Sequence, residues 1–373
     1  MLIEGIELYL VNNRFYKPWR TAYGADAGNS VLMVRMTSGG QEGWSESSPL
    51  PGPAYSYEYG EGVYRLANKF LAPCLIGRDL ACAADVNSAM GGVKGNYFAK
   101  AAMEMAWWTL SAALEGVSLA QRIGAKEKRV DVGDGWGICD SYDELIANIG
   151  KSFAQGYQRV KLKAAHGWDY EMLRAVRSVF PNETIHIDCN ASYSFRDADD
   201  LALLKSLDVF HLAMIEQPFQ PGDISSHAKL QAMLDTPLCL DESITEVWQA
   251  EEAAQTKACR YINIKPARVG GLQNTMDINR VCEQAGIGCW VGGMLESDVG
   301  KAICTVAAAL PNMTYPHDIT PGSVNYPEDV AERALVLSEQ CTINTPDCPG
   351  TPIKPDMERL RRKTVLSNQW TME

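Results

Sequence analysis

The chain of 373 residues has 11 cysteines, an odd number, and no Cys-x-x-Cys pair. That pattern speaks for reduced thiols in a cytoplasmic chain and against a disulfide framework. Its five histidines show neither His-x-His nor His-Glu-x-x-His spacing, which argues against a zinc site. Basic residues are in the minority: 34 Lys and Arg against 46 Asp and Glu give a formal net charge of -12. Such a chain offers no basic face for nucleic acid. No run approaches the roughly 18 apolar residues of a membrane span. The apolar start is broken by Glu4 and Glu7 and does not read as a signal peptide. Phosphate-gripping loops are also missing. Gly133-Asp134-Gly135-Trp136-Gly137 is not Gly-x-Gly-x-x-Gly, and Gly91-Gly92-Val93-Lys94-Gly95 lacks Walker spacing and reads as a loop.

What remains is large and apolar enough for a barrel of roughly 200–250 residues plus a smaller domain. Residues 3–10, 30–36 and 44–48 read as strands of a meander, and residues 57–75 and 97–115 have helical spacing. Ala101, Ala102, Met105, Ala106 and Leu110 share one face of the second helix, where Trp107 and Trp108 read as core. From about residue 129 short β-rich runs alternate with helical segments. The runs are 129–133, 159–163, 185–190, 212–218, 238–243, 261–266 and 288–293, with a weaker eighth at 313–319. This alternation predicts a parallel sheet, closed into a barrel; an open doubly wound sheet is the alternative. The expected division is an α+β domain over 1–125, completed by 321–373, and a barrel over 126–320.

Barrel chemistry sits at the C-terminal ends of strands. Here those ends carry Lys161 and Lys163, then Asp188 and Asn190, then Glu216, then Asp241, then Lys265. Residues two apart on a strand face the same way, so each pair points together. A lone Lys-x-Lys is ordinarily solvated charge, and a lone strand-end Asp is ordinarily a helix cap. Five successive strands ending in these charges form a coherent set. Three hard oxygen ligands suit an octahedral Mg²⁺ with room for substrate. Lysines on opposite sides of the ion, their pKa lowered by its charge, are suited to moving a proton next to a carboxylate. Cys189 and Cys239 flank two of these acids and are expected to turn away from the site, towards the helices.

This constellation resembles the enolase superfamily, in its muconate-lactonizing subgroup, and within it the o-succinylbenzoate synthase/N-succinylamino acid racemase family. The resemblance runs over nearly the whole chain. It is carried by Pro18-Trp19-Arg20-Thr21 with Tyr23-Gly24, Gly43-Trp44-Ser45-Glu46, Gly52-Pro53-Ala54-Tyr55 and residues 99–106. In the barrel it is carried by 161–163, 187–190, 215–218, 240–243, 264–271 and, most narrowly, Gly292-Gly293-Met294-Leu295-Glu296-Ser297. The resemblance implies a modified (β/α)7β barrel with an α+β capping domain. It further implies Mg²⁺, with Mn²⁺ as a substitute, on Asp188, Glu216 and Asp241. Lys163 and Lys265 become the acid/base pair, with Lys161 beside the substrate carboxylate. Asn190 supports the metal site; Arg20 and Tyr23 belong to a closing loop; Gly293, Met294 and Leu295 line the pocket. The expected partner is a small carboxylate substrate, with no nucleic acid and no membrane, in a homo-oligomer.

The first reaction implied is dehydration of a succinyl-hydroxycyclohexadiene carboxylate to o-succinylbenzoate, a step of menaquinone biosynthesis. N-acylamino acid racemisation and muconate cycloisomerisation follow. A catalytically silent barrel scaffold is the non-enzyme alternative, but it predicts loss of a ligand or lysine, and none is lost. Departures from the family concern Asp134, Gly135 and Trp136, which intervene after the expected first barrel strand, and Asp298, read as an exposed loop acid. Dipeptide epimerases carry Asp-x-Asp near the eighth strand, where this chain has Asp318-Ile319-Thr320. His166 reads as a surface loop residue.

Overall fold

The computed structural model describes residues 1–21 and 24–372. Strands β1 (Gly5–Thr21), β2 (Gly24–Ser38) and β3 (Gln41–Ser47) form an antiparallel meander. Alternating Ile6, Leu8 and Leu10 are buried, and Val31 to Val34 form a continuous apolar run against them. The last strand of the chain, Thr364–Thr371, pairs with β1 and makes a fourth strand at the sheet edge. Across the sheet lies the helix Tyr97–Glu115, whose Ala101, Ala102, Met105, Ala106 and Leu110 are buried, as are Trp107 and Trp108. Its backbone runs so close to β3 that a Cβ on Gly43 would come within 2.2 Å of Leu110 N. Only glycine fits there.

The second body is a parallel sheet of seven strands. In chain order they are β5 (Asp134–Trp136), β6 (Val160–Lys163), β7 (Ile185–Asp188), β8 (Ile215–Glu216), β9 (Leu238–Leu240), β10 (Tyr261–Ile264) and β11 (Gly288–Val291). Each pairs with the next, and every pairing is parallel. Residues 312–318 run past both ends of this sheet. Cys289 N donates to Asn312 O and Asp318 N to Val291 O on one side; His317 N donates to Asp131 O and Gly133 N to His317 O on the other. The sheet curls in a TIM-like manner, with helices packed outside.

Two expectations change here. The run 129–133 is not a barrel strand: β4 (Arg129–Asp131) pairs antiparallel with β12 (Thr342–Asn344) near the C-terminus. The first barrel strand is instead Asp134–Trp136, which had read as an interruption. Val130 packs into the core cluster of the meander and its helix, whereas Asp134 and Trp136 join β6. Period and composition do not distinguish two adjacent short runs; the ladder each finds does. The eighth segment makes only isolated bridges, at Met313 and His317.

Inside the sheet, below the charged strand ends, Met214, Cys239, Trp290 and Tyr315 form a small apolar layer. Cys239 therefore faces inward, accepting from Trp290 Nε1 at 3.4 Å, and not towards the helices as expected. It lies two residues before Asp241 and so shares its face. Cys189, one residue after Asp188, does turn outward into the helix-side core.

Candidate metal and acid–base site

The charged strand ends converge. Asp188, Glu216 and Asp241, from the C-terminal ends of β7, β8 and β9, are buried and present carboxylate oxygens all within 4.8 Å of one another. They stand at the ends of three adjacent strands, with β6 and β10, which carry or precede the lysines, on either side. Lys163 Nζ lies 2.6 Å from Asp188 Oδ2, and Lys265 Nζ lies 2.8 Å from Asp241 Oδ2. Lys161 Nζ reaches Asp318 at 2.9 Å, Asp188 at 3.2 Å and Glu216 at 3.3 Å. Three hard oxygens this close are suited to one divalent cation, so the residues fit the ion that the sequence implied.

Neighbours hold each acid in place. Asn263 Nδ2 donates to Glu216 Oε1 at 2.7 Å, and His186 Nε2 lies 3.4 Å from Glu216 Oε2. Arg268 donates to Asp241 Oδ1. Asn190 Oδ1 accepts from Lys163 at 2.8 Å, while its backbone N–H donates to Asp188 at 3.0 Å. Gln217, one residue past Glu216, accepts from the N–H groups of Asp241 and Ser243 and so links β8 to β9.

The backbone here is strained. Asn190 (φ 42), Gln217 (φ 37) and Leu295 (φ 55) all lie in the left-handed region, in the loops that follow barrel strands. Such residues cost on the order of 1–3 kcal/mol each and persist where surroundings over-determine them. Leu295 is pinned by two donors to its carbonyl, Asn29 Nδ2 at 3.0 Å and the Tyr326 hydroxyl. Asn29 and Ser48 also donate to Met294 O. The meander thus holds the 293–297 loop that walls the site.

Apart from any ion's charge, the protein's own groups set the charge balance of Lys161 and Lys265. Burial by itself would lower the Lys161 pKa, but Asp318, Glu216 and Asp188 hold it above the ordinary range. Lys265 is likewise raised, because Tyr55, Glu242 and Glu216 outweigh its burial. Burial opposes ionisation of Glu216, yet Lys161 and His186 keep its carboxyl well below the usual value. The protein's own groups therefore favour lysinium beside carboxylate. Reversing that balance requires added positive charge at the triad.

Lys161, Lys163, Asn190, Lys265, Gly293, Met294 and Leu295 all line one cavity of about 130 Å³. Leu50, Tyr55, Asp134, Lys301, Asp318 and Thr320 share its wall. A larger cavity of about 710 Å³ also has Tyr55 in its wall, but it touches none of the three lysines or three acids. Chemistry favours the smaller one. Arg20 lies outside both: its side chain is exposed and pairs with Asp140 at 2.8 Å, while its neighbour Trp19 lines the cavity. Tyr23 falls outside the described residues. His166 is exposed, as expected. Asp298 is not: it is fully buried at a helix start, accepting from Gly322 N and Leu335 N.

Sequence reasoning missed Arg159 and Asp318. Arg159 is wholly buried, reaches Asp318 at 2.6 Å and lies 5.2 Å from the Trp290 ring centroid. It precedes Lys161 by two residues, so the alternation already in use placed it inside the barrel.

The chain matches the mandelate racemase/muconate lactonizing enzyme N-terminal domain over residues 5–124. It matches the enolase C-terminal domain-like family over residues 144–359. It is 38% identical to an N-succinylamino acid racemase of Thermus thermophilus over 335 residues, 90% of each chain. It is 34% identical to an o-succinylbenzoate synthase of Bacillus subtilis over 370 residues, 99% of this chain and 98% of the other. A solved enolase-superfamily member from Listeria innocua superposes with a TM-score of 0.94 at 32% identity, covering 100% of this chain and 99% of that one. The chain belongs to the enolase superfamily, in its mandelate racemase/muconate lactonizing branch, within the o-succinylbenzoate synthase/N-succinylamino acid racemase family.

Proposed function

We propose that this protein removes a proton from the carbon next to a substrate carboxylate, using Lys163 and Lys265 on opposite sides of a divalent cation. Asp188, Glu216 and Asp241 would hold the ion, Mg²⁺ or in its place Mn²⁺. The observation that carries this reading is strand order: two lysine strands flank three consecutive carboxylate strands. When bound, the ion supplies positive charge against the carboxylate oxygens as the α-carbon loses its proton. The residues do the rest. Lys161 adds a cation for the same carboxylate, Asn190 orients Lys163, and Tyr55 with Asp241 orients Lys265.

The reaction we assign first is dehydration of a succinyl-hydroxycyclohexadiene carboxylate to o-succinylbenzoate. One lysine takes the α-proton, the freed electron pair forms the new ring double bond, and the lysinium so formed returns that proton to the departing hydroxyl, which leaves as water. The second reading is racemisation of N-succinylamino acids, where one lysine removes the proton and the other delivers one to the opposite face. Its support is the 38% identity to a racemase. We divide the chain into a capping domain, 1–125 with 321–373, and a (β/α)7β barrel, 126–320. Turnover of the cyclohexadiene substrate beside a panel of N-succinylamino acids, with Mg²⁺ present, tests this. Activity on either class supports proton abstraction and ranks the two readings; activity on neither overturns it.

A further inference from the structure

Glu242 is a buried carboxyl group that the mechanism above does not use. It follows Asp241 past the end of β9 and is 9% exposed. Its Oε1 accepts from Asn190 Nδ2 at 3.1 Å, while its Oε2 is buried with no hydrogen-bond partner among the described residues. Burying a carboxyl group with one oxygen unpaired is costly, so the contact it does make is worth following.

Asn190 stands between two groups that need opposite ends of its amide. Lys163 Nζ, 2.8 Å away, has only protons to give and takes the oxygen. Glu242 offers an oxygen and takes the NH₂ group. The backbone beneath is already pinned. Asn190 (φ 42) and Ala191 (φ 58) are left-handed, Asn190 N donates to Asp188 at 3.0 Å, and Ala191 N donates to Gln217 O at 2.8 Å. What remains to be set is which way round the amide points, since its two ends have nearly the same shape. Turned over, it would aim N–H groups at an ammonium and an oxygen at an oxygen, losing two hydrogen bonds. The other partner of Lys163 is Asp188 Oδ2 at 2.6 Å, one of the three acids assigned to the ion. Asn190 is therefore the contact left to direct this lysine.

We infer that Glu242 is a positioning residue for Lys163. By holding the NH₂ end of Asn190 it keeps the amide oxygen on the lysine, and it does so for one of the two lysines only. Lys265 takes its direction from Tyr55 and Asp241 instead. This rests on the two-lysine function proposed above and adds the residue that sets the aim of one lysine. A role through charge alone would act differently, because Glu242 also helps to raise Lys265 and so would reach both faces.

The test is α-proton exchange of the two enantiomers of an N-succinylamino acid in D₂O, at saturating Mg²⁺. The enantiomer that Lys163 serves is the one whose exchange is lost in Lys163→Ala. Glu242→Leu fills the same space without an acceptor. It should slow that enantiomer about 10–100-fold, the range for a hydrogen bond to a charged group, while the other keeps its rate. Glu242→Gln keeps an acceptor oxygen and should recover most of the loss. Thermal unfolding is read alongside; should Glu242→Leu fail to fold, Glu242→Ala takes its place with the same expectation. Equal slowing of both enantiomers overturns the inference, as does wild-type exchange in Glu242→Leu, or a Glu242→Gln no better than Glu242→Leu. Those results leave the two lysines standing, since the wild type still exchanges. Should the wild type turn over only the cyclohexadiene acid, kcat on that acid is read with the same ranking of variants, and equal values for Leu and Gln overturn the inference. A wild type inactive on both classes removes the functional reading and this inference together.

Discussion

Tyr55, on the loop after β3, accepts a hydrogen bond from Lys265 Nζ at 2.9 Å and lies 3.3 Å from Asp241 Oδ1. The same hydroxyl accepts from Arg268 at 3.1 Å. A residue of the N-terminal region thereby completes the setting of a barrel lysine. Tyr55→Phe keeps the ring, which stands 4.6 Å from Lys265 Nζ, and removes only the hydroxyl. We expect kcat to fall by about tenfold or more, from one lost charged hydrogen bond, with the thermal midpoint little changed. Steady-state kinetics and thermal unfolding check this; an unchanged kcat would remove Tyr55 from the positioning of Lys265.

Asp241→Asn tests the metal. The carboxylate also pairs with buried Lys265 and Arg268, so the variant should fold with a lowered thermal midpoint and bind divalent cation far more weakly. Titration with Mn²⁺, followed by calorimetry, gives a readout independent of turnover. Wild-type affinity in the variant would mean that Asp241 is no ligand.

Arg159 depends on Asp318. In Asp318→Asn the buried guanidinium loses its ion pair, leaving an uncompensated charge inside the barrel. Such losses cost about 3–5 kcal/mol. Denaturant unfolding should show a destabilisation of that order. A change below about 1 kcal/mol, the worth of an exposed pair, would show that the pair contributes as if exposed.

Two buried glutamates set a pH dependence. Burial raises Glu104 to about 7 and Glu46 to about 8, against an ordinary value of 4.5. An acid with a raised folded-state pKa binds its proton more tightly when folded. Its contribution is therefore fully present below about 4.5 and is lost as pH rises through 7 to 8. Above about pH 7, where buried His186, His227 and His317 are neutral both folded and unfolded, the thermal midpoint should fall towards pH 8.5, and Glu46→Gln should flatten that fall. An identical profile in the variant would contradict the assignment.

How much of this was legible in the sequence follows from what each residue needs. Lys161, Lys163, Asp188, Glu216, Asp241 and Lys265 could be found because a strand fixes direction with period two and a strand end fixes position. The long helix 97–115 was found to the residue because its apolar stripe is unbroken. Asp134–Trp136 was missed because three residues carry no period, and its role as a strand depends on meeting β6. Asp298 was missed because its acceptors serve N–H groups of Gly322 and Leu335, 24 and 37 residues away. Glu104 likewise accepts from the N–H groups of Leu272 and Gln273, capping a barrel helix from 168 residues away. No local signal announces such contacts. Cys239 is different: the alternation that placed Asp241 inside placed Cys239 inside as well.

The central claim is that Lys163 and Lys265 act on opposite faces of one α-carbon. Exchange of the α-proton of each enantiomer of an N-succinylamino acid in D₂O, with Mg²⁺ present, tests it most directly. In Lys163→Ala one enantiomer should lose exchange while the other keeps some; Lys265→Ala should show the reverse preference; racemisation should fail in both. The loss should be on the order of 10²–10⁴-fold, the contribution of a positioned general base. Equal exchange of both enantiomers in either variant would contradict the two-faced arrangement.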